Sequence, residues 1–99
     1  MVVELRPDDI VKRTSKTDNG DTYEHYGKVF DVNRDHTGTP YLHIRNAREG
    51  SEGDSSVTYG LEEDEINGRT ATIPQQLGEN ETIEKVDKAP KGTRWSYEK

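Results

Sequence analysis

The chain has no cysteine. A disulfide framework and thiolate-ligated metal centres are thereby excluded, while the redox compartment stays open. Large apolar residues are scarce: 17 of the 99 are Leu, Ile, Val or Phe, and tryptophan occurs once. A domain of this length buries only roughly 60–65% of its unfolded surface, so the core must be thin. With 34% of residues charged, the composition borders on that of disordered chains. No apolar run approaches the roughly 20 residues of a membrane-spanning helix. The start, Met1-Val2-Val3-Glu4-Leu5-Arg6, lacks the charged head and apolar centre of a signal peptide. Basic residues are also few, 14 against 20 acidic, for a net charge of −6. Such a surface repels polyanions unless its cations gather on one face.

What is present argues for a folded centre. The apolar residues fall in short runs separated by strong turn signals, the pattern of a β-meander. Arg6-Pro7-Asp8-Asp9 bends the chain into a strand predicted over residues 10–17. Asp18-Asn19-Gly20-Asp21 predicts a hairpin, because Asn and Gly both tolerate positive φ. The return strand is expected over residues 22–32, with Gly27 marking a bulge or sharp bend. A second turn at residues 33–38 leads into residues 39–45. There, alternation puts Leu42 and Ile44 on one face, assigned to the core, and Tyr41, His43 and Arg45 on the other. Residues 46–54, with Gly50 and Gly53, read as a flexible loop. Val57 and Tyr59 mark a strand ended by Gly60, and residues 61–66 a helical or 3₁₀ turn. Asn67-Gly68 is another tight turn, followed by a strand at residues 69–73 that Pro74 ends. Beyond Gln75 only residues 82–86 offer a further strand. Ala89-Pro90-Lys91-Gly92 reads as a linker to a terminal segment, Thr93-Arg94-Trp95-Ser96-Tyr97. The expected architecture is mainly β: a small antiparallel barrel of five or six strands in residues 1–87, with an extended C-terminal arm in residues 88–99.

Three segments carry a family resemblance: Arg6-Pro7-Asp8-Asp9-Ile10-Val11, Tyr26-Gly27-Lys28-Val29 and Tyr41-Leu42-His43-Ile44. They resemble the Pro-Gly-Asp-x-Val, Gly-x-Val and alternating-strand pattern of the SH3-like barrel superfamily, in particular its Tudor and KOW-like members. The likeness spans roughly residues 5–73, and Asp8 stands where glycine is usual. It implies an SH3-like barrel. Such barrels bind peptides, modified side chains, nucleic acids or neighbouring subunits, so the fold alone selects none of these.

Catalytic and metal chemistry find little support. Asp31-Val32-Asn33-Arg34-Asp35 opens like an EF-hand loop, but His36 takes the glycine position and Leu42 that of the bidentate glutamate. A hairpin turn is the better reading. His25, His36 and His43 are too widely spaced on the expected strands to form a zinc site. Glu62-Glu63-Asp64-Glu65 reads as a solvated acidic face rather than an acid pair. No serine sits in a nucleophile elbow and no glycine-rich phosphate loop occurs. The expectation is no enzyme, no metal and no cofactor.

The aromatics carry the remaining signal. Tyr23, Tyr26, Phe30, Tyr41 and Tyr59 fall on expected strands. Phe30 is assigned to the core. Tyr41, opposite Leu42 and Ile44, is assigned to an exposed face of the kind that stacks bases or cages a cation. His43 is the histidine best placed to titrate there, and Lys28, Arg34, Arg45 and Arg48 are candidate flanking cations interrupted by acids. In the arm, Trp95 and Tyr97 project to one side if extended, with Arg94 and Lys91 beside them, a combination typical of interface anchors. Trp95 has two readings: it folds back over its own barrel, or it anchors on a neighbour by strand addition. The candidate partner-binding residues are therefore Tyr41, His43, Arg45, Arg94, Trp95 and Tyr97. The expected partner is a protein or a like subunit engaged through the arm, with nucleic acid disfavoured by net charge and no membrane role. The leading expectation is a non-catalytic interaction or assembly module, one concrete form being a connector, decoration or tail subunit of a phage or archaeal virus. The alternative is a Tudor- or KOW-like regulator that contacts nucleic acid or a nucleic-acid-associated protein. The expected location is the cytoplasm, or the virion in the viral case.

Overall fold

The structure, a computed structural model, describes residues 1–48 and 53–98. The loop expectation at Gly50 lies outside the described residues. Among those residues the elements are β1 (Val2–Leu5), β2 (Ile10–Lys16), β3 (Thr22–Arg34), β4 (Pro40–Asn46), β5 (Ser56–Gly60), a 3₁₀ turn (Glu63–Glu65), β6 (Ile66–Asn67), β7 (Thr70–Pro74), β8 (Gln76–Gly78) and β9 (Glu81–Val86). The fold is mainly β and barrel-like, as the sequence leads one to expect. Both sheets are antiparallel: one has the order β1-β7-β6, and the other, β5-β4-β3-β2-β9-β8, curls into a half-barrel. The core lies between them. Leu5, Ala71 and Ile73 from the small sheet cluster with Val11, Val29, Val32, Leu42, Ile44 and Ile83 from the large one.

Local chemistry sets the hairpins. Between β2 and β3, the Thr17 N–H donates to the Asp21 carbonyl (2.8 Å) and the Gly20 N–H to the Thr17 carbonyl (2.9 Å). Gly20 takes φ +89°, whereas Asn19 stays out of the positive-φ region. The loop is thus a type I turn closed by a left-handed glycine, not the two-residue turn that an Asn-Gly pair predicts. The loop between β3 and β4 repeats this design with Asp35, Gly38 and Thr39. The Asp35 carboxylate accepts from the Thr37 hydroxyl and from the N–H groups of Thr37 and Thr39. These bonds, the hydroxyl's foremost, hold the Asp35 carboxyl below its usual pKa. The expected 3₁₀ turn is Glu63–Glu65, with Glu62 and Glu65 capping each other reciprocally.

At residues 6–9 the Asp9 N–H donates to the Arg6 carbonyl (3.1 Å) and the Asp9 carboxylate accepts the Arg6 N–H (2.8 Å). Asp8 sits at φ +78°, the left-handed conformation that glycine adopts without strain.

Three strands lie outside the sequence expectation. β1 pairs with β7, from Val2 opposite Pro74 to Leu5 opposite Ala71, the two-residue β6 pairs with β7 where only turns are expected, and the short, polar β8 pairs with β9. β4 alternates as expected, with Leu42 and Ile44 fully buried. β3 does not keep strict alternation. Val29 opposes Ile44, but Asp31 opposes His43 and Val32 opposes Leu42, so Phe30 is an extra, bulged residue. The bulge lets Val29 and Val32, three positions apart, both enter the core. One expectation is corrected here: Phe30 is not a core residue but lies 47% exposed. Nor is Gly27 the site of the bulge. It pairs regularly with Val11 and Asn46, buried where a Cβ would come 2.5 Å from Ile44 Cγ2.

Candidate interaction surface

Alternation places Tyr41, His43 and Arg45 on the outer face of β4, and the bulge brings Phe30 out beside them. The His43 ring meets Phe30 edge-on, with centroids 5.5 Å apart and planes at 78°. The Arg45 guanidinium lies 3.5 Å above the Phe30 centroid and 5.6 Å from that of Tyr97. This is cation–π geometry, and both rings stay about half exposed, at 47% and 51%. Among the described residues Arg45 forms no ion pair, and its Nε is buried without an acceptor. A groove of about 270 Å³ runs alongside, bordered by Lys28, Phe30, Arg45, Trp95 and Glu98.

Most other cations near the sheet have carboxylates. Lys12 lies between Glu84 and Glu24, at 3.0 and 3.1 Å, and both push its pKa upward. Arg34, an expected flanking cation, instead makes a bidentate pair with Glu63 at 2.8 and 2.9 Å. That pair raises the Arg34 pKa and lowers that of Glu63. Arg48, likewise expected to flank the face, pairs with Asp54 at 3.3 Å.

The terminal segment returns to this face. The Arg48 N–H donates to the Arg94 carbonyl (2.7 Å), and the Ser96 N–H donates to the Asn46 carbonyl (2.9 Å). Together these bonds form an antiparallel bridge between Ala47 and Trp95. Ser96 is completely buried. Its Oγ accepts the Ser55 N–H (2.9 Å), and the Ser55 Oγ accepts from Asn46 Nδ2 (3.2 Å). Asn46 Oδ1 in turn accepts from Arg13 Nη2 (2.5 Å), while Arg13 Nη1 donates to the Tyr59 hydroxyl (3.1 Å). A continuous hydrogen-bond chain therefore runs from inside the half-barrel to the tail. The Glu98 N–H donates to the Trp95 carbonyl (3.3 Å), which closes a turn with Tyr97 at φ +62°. That conformation costs a non-glycine residue about 1–2 kcal/mol, and here it leaves the Tyr97 ring beside Arg45.

Of the residues singled out from sequence, His43, Arg45, Trp95 and Tyr97 come together around Phe30. Tyr41 and Arg94 do not join them. Tyr41 is half-buried rather than an exposed ring. Its hydroxyl donates to Asp31 Oδ2 (3.1 Å), whose other oxygen accepts from Arg69 Nη2 (2.7 Å). The bond to Asp31, followed by burial, raises the Tyr41 pKa. Arg94 contributes its backbone carbonyl to the bridge, and its side chain stays exposed. Of the two readings for Trp95, the structure has it docked on its own barrel.

The EF-hand-like run is occupied by internal bonds: Asp31 by Tyr41 and Arg69, Asn33 by the Arg34 N–H, and Asp35 by its own turn. Among the described residues no group of three or more His, Cys, Asp or Glu is placed to hold a metal, and no helix is long and apolar enough to cross a membrane. No protein-family model matches the chain, and no curated protein or solved structure shows significant similarity to it.

Proposed function

We propose that this chain is a non-catalytic assembly module that associates with copies of itself through the outer face of β3 and β4 and the docked tail. The observation that carries the reading is Arg45. In a chain with 20 acidic residues, its guanidinium has no carboxylate among the described residues and lies between two half-exposed rings. Arginine and aromatic side chains held in this way are the usual anchors of protein interfaces, where truncating one typically costs about 2 kcal/mol or more. The SH3-like assignment belongs to the same reading, supported by the left-handed φ of Asp8 at the motif's glycine position. A connector, decoration or tail subunit of a virus particle is the concrete setting proposed, by architectural analogy.

Sedimentation over a range of concentrations tests the reading. The chain is expected to associate, and Arg45→Ala to weaken association by about 30-fold, the equivalent of about 2 kcal/mol. A chain that stays monomeric and binds oligonucleotides in an Arg45- and salt-dependent manner would overturn the proposal in favour of the nucleic-acid reading.

A further inference from the structure

The tail occupies the same edge of β4 as β5 does. Along Tyr41–Arg45, β4 is paired with β5, and the Asn46 N–H still donates to the Ser55 carbonyl (3.0 Å). Beyond that point β5 has ended. The Asn46 carbonyl and the Arg48 N–H, which point to the same side, are taken by Ser96 and Arg94, while the Ala47 N–H points the opposite way, to the Tyr26 carbonyl. A short free edge at residues 46–48 thus remains past the end of β5, and one strand-like bridge fills it.

We infer that this edge is a strand-docking site whose partner is the same terminal segment of a second copy of the chain. The inference rests on the assembly reading above and specifies how the contact is made. The fit is already on view, since the segment Arg94-Trp95-Ser96 is seated there with its backbone bonds and the Ser96 hydroxyl satisfied. Exchange between copies preserves each of those contacts, so only tether geometry separates the two forms. Docking within one chain rests on one backbone bridge and on the buried Ser96 with its bond from the Ser55 N–H. The tether, residues 88–92, is exposed apart from a half-buried Ala89 and enters neither sheet. Five residues span at most about 18 Å, so the neighbour that receives the tail must lie directly against the barrel that sends it. A neighbour held that close can cover the Phe30 and Tyr97 rings, which docking within one chain leaves about half exposed.

The absence of native cysteine makes cross-linking a clean test. Arg48→Cys/Arg94→Cys places two thiols on facing positions of the bridge and leaves Trp95, Ser96 and Tyr97 untouched. Oxidation at concentrations where the chain is associated is expected to give mainly covalent dimers on a non-reducing gel. In parallel, a fluorescein-labelled peptide of residues 88–99 is expected to exchange onto the full chain in a saturable manner. A disulfide confined to single chains overturns the inference, and so does the lack of any disulfide together with no peptide uptake. Association that persists with only intramolecular disulfides leaves the assembly reading standing and removes tail exchange; a monomer at all concentrations removes the reading itself.

Discussion

Gly27→Val is expected to be among the most destabilising single substitutions in the chain. Even an alanine Cβ at this position would meet Ile44 Cγ2 at 2.5 Å and Val11 Cγ2 at 3.6 Å. Ile44 is fully buried and β-branched, so neither of its methyl-bearing arms swings clear easily. Overpacking of a well-packed core costs about 1–3 kcal/mol, and valine adds two more carbons to that strain. For a domain whose total stability is on the order of 5–15 kcal/mol, the loss is a large fraction. Chemical denaturation should show the midpoint falling in the order glycine, alanine, valine. A Gly27→Ala midpoint equal to that of the parent would mean that Ile44 and β3 do not pack as described.

The second large effect concerns the tail. Ser96→Leu adds volume at a completely buried position and removes the acceptor of the Ser55 N–H. Overpacking and an unsatisfied donor together come to about 2–6 kcal/mol. The cost falls on a segment held by one backbone bridge and by Ser96 itself, so the tail is expected to leave the barrel while both sheets persist. Trp95, the only tryptophan, reports this directly. Its emission should shift to the red, with far-ultraviolet circular dichroism otherwise unchanged. Unshifted emission would show that Ser96 does not pin the tail.

The parts of this fold that are readable in the sequence are the local ones. Asp18-Asn19-Gly20-Asp21 marks a hairpin by composition alone, and Leu42 and Ile44 declare their face by alternation within one strand. The 3₁₀ turn at Glu63–Glu65 falls within the helical or 3₁₀ turn expected over residues 61–66. What fails to show depends on distant partners. β1 becomes a strand because β7 lies beside it, and β8 has only half-buried Leu77 between Gln76 and Gly78 to mark it. The bulge at Phe30 arises because Val29 and Val32 are both drawn into a core shared with Leu42 and Ile44, a demand that β3 does not reveal alone. Within β3 alone Phe30 therefore reads as a core residue, although it is the exposed ring around which the surface is organised. Two apolar residues spaced by three within an otherwise alternating strand are the signal that points to it.

The candidate surface shows the same division. His43 and Arg45 follow from alternation, but Tyr41 is committed to Asp31, whose other oxygen is held by Arg69, 38 positions further along the chain. Ser96 looks like solvated tail until Ser55, 41 positions away, supplies its bond. Trp95 had two homes open to it because an aromatic at a chain end is equally suited to its own barrel or to a neighbour's. The bridge to Ala47 shows one of these homes, and the shared edge of β4 makes the other available on the same terms.

Absolute mass by light scattering, for the full chain beside a version ending at Asp87, tests the central claim most directly. The account predicts a dimer or larger species for the full chain that falls to a monomer when the tail is removed. A monomer in both cases, across the accessible concentration range, would contradict it.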